Sequence, residues 1–453
     1  MRSAGLLTEC KCSEWITLAF GAELSRSSQD GRTYPRLRQT QRGIMGSDHP
    51  EDSNADAGRP PEQVTDTSWA HARALADSGR LKVQWDRLLE SRPPPLPSAI
   101  NLADKVEGML LGLAVGDALG NTSESINPAE RKLRVPSGWI SNYSPNRYAD
   151  YRSVGLASDD TQMAFWTIEQ MLADGGLDPA RLGEIFCRRQ IYGIGQSVRQ
   201  FQRNWESGRP WFECGVASAG NGALMRIAPI LLPHLRSPSR NLWADTLVAA
   251  HLTHDDLLSN ASCLALVQLL WQLLGLEASP DKRWWIDTWL TTSEPLTAGR
   301  PDGIFRARAN HPPKFSGTMA DMVAQHVRPA LDRDLDVAEA GDIWHSGAYL
   351  LETVPTVLYV LSRHGHDPKE AILQAVNNTR DNDTCAAIVG AAVGALHGAS
   401  ALPAEWIDGL LGRTTVDDDG QVFRLLAQAG DRYGYGVSPR VRQRAAASRQ
   451  QET

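Results

Sequence analysis

Two short acidic runs carry the chemistry this sequence offers. The first is Ser158-Asp159-Asp160-Thr161; the second, more than two hundred residues later, is Asp381-Asn382-Asp383-Thr384. Each supplies two carboxylates and a hydroxyl, hard oxygen donors of the kind that Mg²⁺, Mn²⁺ and Ca²⁺ take. Each also stands where an apolar helical pattern begins, Met163 to Leu172 after the first and Cys385 to His397 after the second. Read singly, either run is a helix cap, accepting from orphan backbone N–H groups and placing its charge at the positive end of the dipole. Read together, they ask for more. Apolar helices hold both starts near a core, and carboxylates meeting there repel by about 4 kcal/mol per pair at 4 Å and an effective dielectric near 20. Two divalent cations would set four positive charges against four negative ones. Capping does not call for two such runs; metal binding does.

Weaker signals lie between the two runs and ahead of the first. Ser218-Ala219-Gly220-Asn221-Gly222 is a turn entering a helix, where glycines free backbone N–H groups for an anion. An ordinary Asn-Gly turn explains it as well. Tyr192-Gly193-Ile194-Gly195 has the same two readings. His251, His254, Asp255 and Asp256 set imidazoles beside acids, but no further His or Cys stands at zinc-binding spacing. His254 therefore reads as a contact to a ligand or as a cap. Glu124, alone in a loop, reads as a solvated carboxylate, and Asp117 as a partner supporting the acids.

The elements that must position these groups are helical. Segments such as 104–119, 160–173, 179–191, 241–253, 257–275, 346–364, 368–377 and 384–398 repeat apolar residues at i, i+3 and i+4. Gly108, Gly112, Gly116 and Gly120 share one helix face, as do Gly390, Gly394 and Gly398, so both helices allow close approach. The first series lacks the Gly-Lys-Ser/Thr ending of a phosphate loop. Residues 125–157 and 293–320 break the pattern as long irregular inserts. Four parts are expected: a loosely ordered leader over 1–60, a helical extension and Pro-rich linker over 61–97, a helical domain over 98–435 and a frayed tail over 436–453.

Composition narrows the class. A net charge of -7 gives no general attraction for nucleic acid or anionic membranes. Six cysteines without a CxxC pair read as free thiols in a reducing compartment, so a cytoplasmic protein is expected. Cys385 to Leu396 reads as the longest weakly polar stretch, too short to span a bilayer.

The order of motifs then resembles a known family. GLAVGDALGNTSE at 112–124, SDDTQMA at 158–164, SAGNGALMR at 218–226, LTHDD at 252–256 and RDNDTCAAIVGAAVGALHG at 380–398 are similar to those of the ADP-ribosylglycohydrolases. The resemblance covers roughly residues 103 to 400. It implies an all-α orthogonal bundle with two Mg²⁺ or Mn²⁺ ions in a central cleft. Ser158, Asp159 and Asp160 would be metal ligands from one side, and Asp381, Asp383 and Thr384 from the other. Glu124 would be the carboxylate near the scissile bond. Gly193, Gly195, Ser218, Gly220, Asn221 and His254 would line the ADP-ribose pocket. There are departures: Ser158 stands where Thr is usual, Arg380 stands where a small residue is common, and the 125–157 and 280–345 inserts match no substrate class.

The resemblance implies a metal-dependent hydrolase removing ADP-ribose from protein, N-linked arginine first among linkages. Its transition state would resemble an oxocarbenium ion. Glu124, Asp159 or Asp160 would move the proton. Alternatives are O-linked ADP-ribose, on serine or a small metabolite, and a non-catalytic ADP-ribose-binding homologue.

Overall fold

Glycines decide where the two acidic runs end up. In the computed structural model, which describes residues 67–311 and 313–449, the helices Leu102–Gly120 and Asn382–His397 lie against each other along their glycine faces. A Cβ on Gly112 would fall 2.1 Å from the Gly390 carbonyl oxygen, and one on Gly116 2.1 Å from that of Ala386. At the end of the seam, a Cβ on Gly120 would fall 2.5 Å from Asp383 Cα. No side chain fits between these backbones. Contact this close turns the loss of apolar side chains into dense backbone packing.

The rest of the bundle encloses this pair. Helix Asp159–Asp174 packs on Leu102–Gly120, and helix Pro368–Asn378 packs on Asn382–His397. Helix Leu257–Gly275 joins the same core. It corrects the expectation about membrane-like segments: at 19 residues it is longer and more continuously apolar than Cys385 to Leu396. Within its most apolar stretch, 89% is buried inside the protein, so its hydrophobicity is spent on the core. The described strands are one antiparallel pair, Phe305–Arg306 with Ser316–Gly317, at the base of an arm in the second insert.

The terminal segments are better fastened than their composition suggests. The expected leader over 1–60 lies outside the described residues. Helix Thr67–Asp77 packs on Asn241–His251. The proline-rich run is held by two indoles: Trp243 Nε1 donates to Ser91 O at 2.9 Å and Trp271 Nε1 to Pro94 O at 2.9 Å. The expected frayed tail is instead helical over Pro439–Arg449. Its arginines meet acids of the domain rather than solvent alone: Arg440 pairs with Asp408 and Arg442 with Asp431, each at 2.7 Å. Val441 is buried beneath them.

Because the seam is backbone against backbone, Gly112→Ala should be destabilising despite the better helix propensity of alanine. Overpacking of this kind costs about 1–3 kcal/mol against roughly 1 kcal/mol gained in propensity. Thermal melts should show Gly112→Ala lower than wild type. Gly176→Ala, where an added Cβ meets nothing within 4 Å, should melt close to it.

Candidate metal centre and cleft

Both acidic runs open their helices at this seam, and neither uses its N-cap side chain as a cap. Ser158 and Asp381 are the N-cap residues of Asp159–Asp174 and Asn382–His397, and neither makes a side-chain capping bond. The capping work at the first run is done from another helix. Asp117 is fully buried and accepts from Ser158 N (2.9 Å), Thr161 N (3.0 Å), Thr161 Oγ1 (2.7 Å), Asn121 Nδ2 (3.1 Å) and Ser158 Oγ. Its carboxylate takes the orphan N–H groups, so Asp159 and Asp160 are free of that task. Ser158 Oγ donates its proton to Asp117, which leaves its lone pairs to face a cation.

The second run is held as firmly. Asn382 is buried, and its amide donates to Gly120 O, Ser123 Oγ and Val376 O, each at 3.0 Å. Asn221 donates to Asp381, joining the Ser218–Gly222 turn to this run. Thr384 N donates to Asp383 Oδ1 at 2.9 Å. Arg380, the departure that put access in question, turns outward: Nη2 lies 2.7 Å from Asp342 Oδ1, and Nη1 donates to His345 O. It is not among the cleft-lining residues.

Glu124 is brought to the same point by the first insert. Ser125 N donates to Arg380 O at 3.1 Å. Buried Arg131 then bridges the two segments, donating to Ser123 O and Ile126 O on one side and to Asn377 O and Thr379 O on the other. One carboxylate oxygen each from Glu124, Asp381 and Asp383 lies within 4.8 Å of the others.

The electrostatics follow from this crowding. Burial, and then repulsion from Asp117, Asp383, Asp159 and Asp381, pushes Asp160 well above the usual carboxylate range. Burial first, with Asp117 and Glu124 next, does the same to Asp159. Asp383 is raised by burial and then by Glu124 and Asp381. Glu124 is pushed up to about 7 by burial and Asp381, and Asp381 up to about 6 by burial. Asp160 Oδ1 is buried with no hydrogen-bond partner. Buried carboxylates in this state hold either protons or cations. An all-oxygen donor set with an orphaned buried oxygen fits hard divalent ions.

The cleft beside these acids has a volume of about 690 Å³, suited to a ligand larger than a simple sugar. Glu124, Asp159, Asp381, Asp383 and Thr384 are among its lining residues. Ser158 and Asp160 are not among the lining residues; both are buried just behind it. Gly193, Gly195, Ser218, Gly220, Asn221 and His254 line it as well, so the sequence-derived pocket residues share one cavity. Gly193 has φ +81°, and a Cβ there would meet Asp159 Oδ1 at 3.0 Å, so this turn requires glycine. His254 is buried and its Nδ1 lies 2.9 Å from Thr253 Oγ1; burial, aided by Arg226, lowers its pKa to about 3 and keeps it neutral. Residue types and spacing do not flag Tyr349, Ala348, Arg306 or Arg308, which also line the cleft. An isolated bridge between Gly220 and Tyr349 brings that wall in, and no local pattern announces it.

A model of the ADP-ribosylglycohydrolase family matches residues 98–434. The chain belongs to this family. It is 29% identical to ADP-ribosyl-(dinitrogen reductase) glycohydrolase of Rhodospirillum rubrum, across 72% of this chain and 97% of that one. It is 27% identical to the ADP-ribosylarginine hydrolase Tri1 of Pseudomonas putida, across 71% and 78%. A solved chain from an ADP-ribosylglycohydrolase-related protein complex matches with a TM-score of 0.50 and 24% identity, over 74% of this chain and 99% of that one. That likeness shows the shared all-α fold.

The raised acids predict an inverted pH response without divalent ions. Glu124 at about 7 and Asp381 at about 6 sit above their unfolded values near 4, so between those limits the native state binds more protons than the unfolded chain. Stability in chelator should therefore fall as pH rises from about 4.5 to 7. Mn²⁺ should restore it, most strongly at the upper end. A chelated melting temperature that climbs over this window, and is indifferent to Mn²⁺, contradicts the assignment.

Proposed function

We propose that this family member is a hydrolase dependent on two divalent cations, Mg²⁺ or Mn²⁺, that releases ADP-ribose from modified protein, arginine being the preferred acceptor. The observation that carries the reading is the meeting of two acidic runs, neither with a capping bond from its N-cap side chain, in one cleft that the Ser218–Gly222 turn also lines. Ser158, Asp159 and Asp160 would hold the ions from one side, and Asp381, Asp383 and Thr384 from the other. Bound there, the cations would neutralise the crowded acids, lower the pKa of a water and template the ribose.

The chain's own residues supply the rest. Glu124 projects into the cleft beside Asp381 and Asp383, and it is tethered by the Arg131 bridge rather than by a cap. A carboxyl near neutral pKa at this place suits proton transfer to or from the leaving group, with cleft-lining Asp159 as the second candidate. Gly193, Gly195, Ser218 and Gly220 would accommodate the phosphates and ribose through backbone N–H groups. Neutral His254 adds a polar contact without adding charge. Asn221 acts on Asp381 by holding its carboxylate.

Arginine is preferred for two reasons. After two cations offset four carboxylates, Glu124 remains as an anion facing the acceptor, favouring a cationic leaving group over a neutral hydroxyl. One relative is named for ADP-ribosylarginine.

Asp383→Ala and Asp160→Ala should each lose turnover by more than about 100-fold, since even residues that merely orient a ligand cost 10–100-fold. Circular dichroism should show both folded. Full activity of either in saturating Mg²⁺ rejects the ligand assignment. Arginine-linked peptides should release ADP-ribose faster than serine-linked ones. The reverse order would reassign the linkage, and no release from any ADP-ribosyl linkage would remove the enzyme reading.

A further inference from the structure

Glu352 is another buried carboxylate with an unsatisfied oxygen. It lies in the first turn of helix Leu350–His364, is 3% exposed, and its Oε2 has no hydrogen-bond partner. Two imidazoles meet it from segments far apart in the chain. His311 comes from the arm between the two strands, with Nδ1 3.0 Å from Glu352 Oε1. His345 comes from the turn after helix Val337–Trp344, and its ring stacks on that of His311 with centroids 3.6 Å apart. One ligand atom from each of the three lies within 4.8 Å of the others.

The backbone is strained to achieve this. His345 and Ser346 are consecutive non-glycine residues in the left-handed region, with φ of 77° and 45°. Such positions cost on the order of 1–3 kcal/mol each and persist only where the surroundings impose them. Here Arg380 imposes them: its Nη1 donates to His345 O at 3.1 Å and its N–H to Ser346 O at 3.2 Å. The strained turn presents an imidazole whose ring nitrogens have no hydrogen-bond partner among the described residues.

We propose that His311, His345 and Glu352 form a metal site of their own, beside the acidic cluster, that takes a borderline cation such as Zn²⁺. Two imidazoles and one carboxylate are a zinc ligand set with a position left for water, whereas Mg²⁺ selects oxygen donors. Binding through His311 Nδ1 requires the tautomer protonated at Nε2, so the ring stays neutral. The stacked rings must rotate to bring both lone pairs onto one ion. Arg308, whose Nε lies 3.6 Å from Glu352 Oε1, is the competing cation; its side chain is 45% exposed and also lies over the Tyr349 ring on the cleft wall, a contact it keeps when an ion takes Glu352. The consequence is mechanical. The ion would clip the arm to the helix that follows Tyr349, fixing Arg306 and Arg308 along the cleft wall. Such a site would stand whether or not the proposed reaction does.

Cobalt separates this site from the acidic one, because Co²⁺ with nitrogen ligands in low coordination absorbs strongly in the visible and all-oxygen octahedral Co²⁺ weakly. Chelator-stripped full-length protein, with Mg²⁺ in excess, should develop one equivalent of intense band on Co²⁺ titration, displaced by Zn²⁺. His311→Ala and His345→Ala should weaken binding by more than about 100-fold. Asp383→Ala should keep the band. Absence of the band, its survival in His311→Ala, or its loss in Asp383→Ala overturns the proposal. His311 sits on the arm, so its variant decides the matter even if His345→Ala does not fold.

Discussion

Two helices meet here without side chains between them, and the positions of the acids follow from that contact. Gly108, Gly112, Gly116 and Gly120 on one helix and Gly390, Gly394 and Gly398 on the other let the carbonyl of one backbone touch the Cα of its neighbour. The seam runs to Gly120 and Asp383, so the last turn of one helix meets the first turn of the other. Asp117, one turn before Gly120, then reaches the start of Asp159–Asp174 and gathers the N–H groups of Ser158 and Thr161. Three helix ends are fixed at one place by one close contact. Charge that would otherwise be solvated is thereby forced into a low-dielectric corner.

That arrangement is costly for the chain alone. Asp160 is buried with an orphaned oxygen, and Asp159, Asp160 and Asp383 are all pushed toward protonation, first by burial and then by neighbouring carboxylates. A fold does not need such a corner; a pair of hydrophobic helix starts would serve it better. The economical explanation is that the repulsion is cancelled by bound cations. The cleft with its glycine turn then has a reason to open at that spot.

Much of this is legible in residue types and spacing. The acidic runs, the glycine face, the Asn-Gly turn and the helical periodicity are local patterns, and each appears where its pattern implies. Other contributions have no local signature. Arg131 reads as one more charge in an irregular insert, yet it is buried and bonds four carbonyls drawn from two distant segments. Tyr349 and Arg308 reach the cleft through a single bridge and an arm, contacts that only tertiary packing determines. The tail departs from expectation for a related reason: arginines look solvated until the acids opposite them are known. Helix Leu257–Gly275 shows a different gap, since periodicity locates its leucines but does not weigh their total hydrophobicity.

The central claim is that the two acidic runs share cations. Crystals grown with Mn²⁺ and measured at its absorption edge address it directly. Two anomalous peaks, each touched by oxygens from both the Ser158–Asp160 and Asp381–Thr384 segments, are the predicted result. Carboxylates that converge with no anomalous density between them, under saturating Mn²⁺, would contradict it.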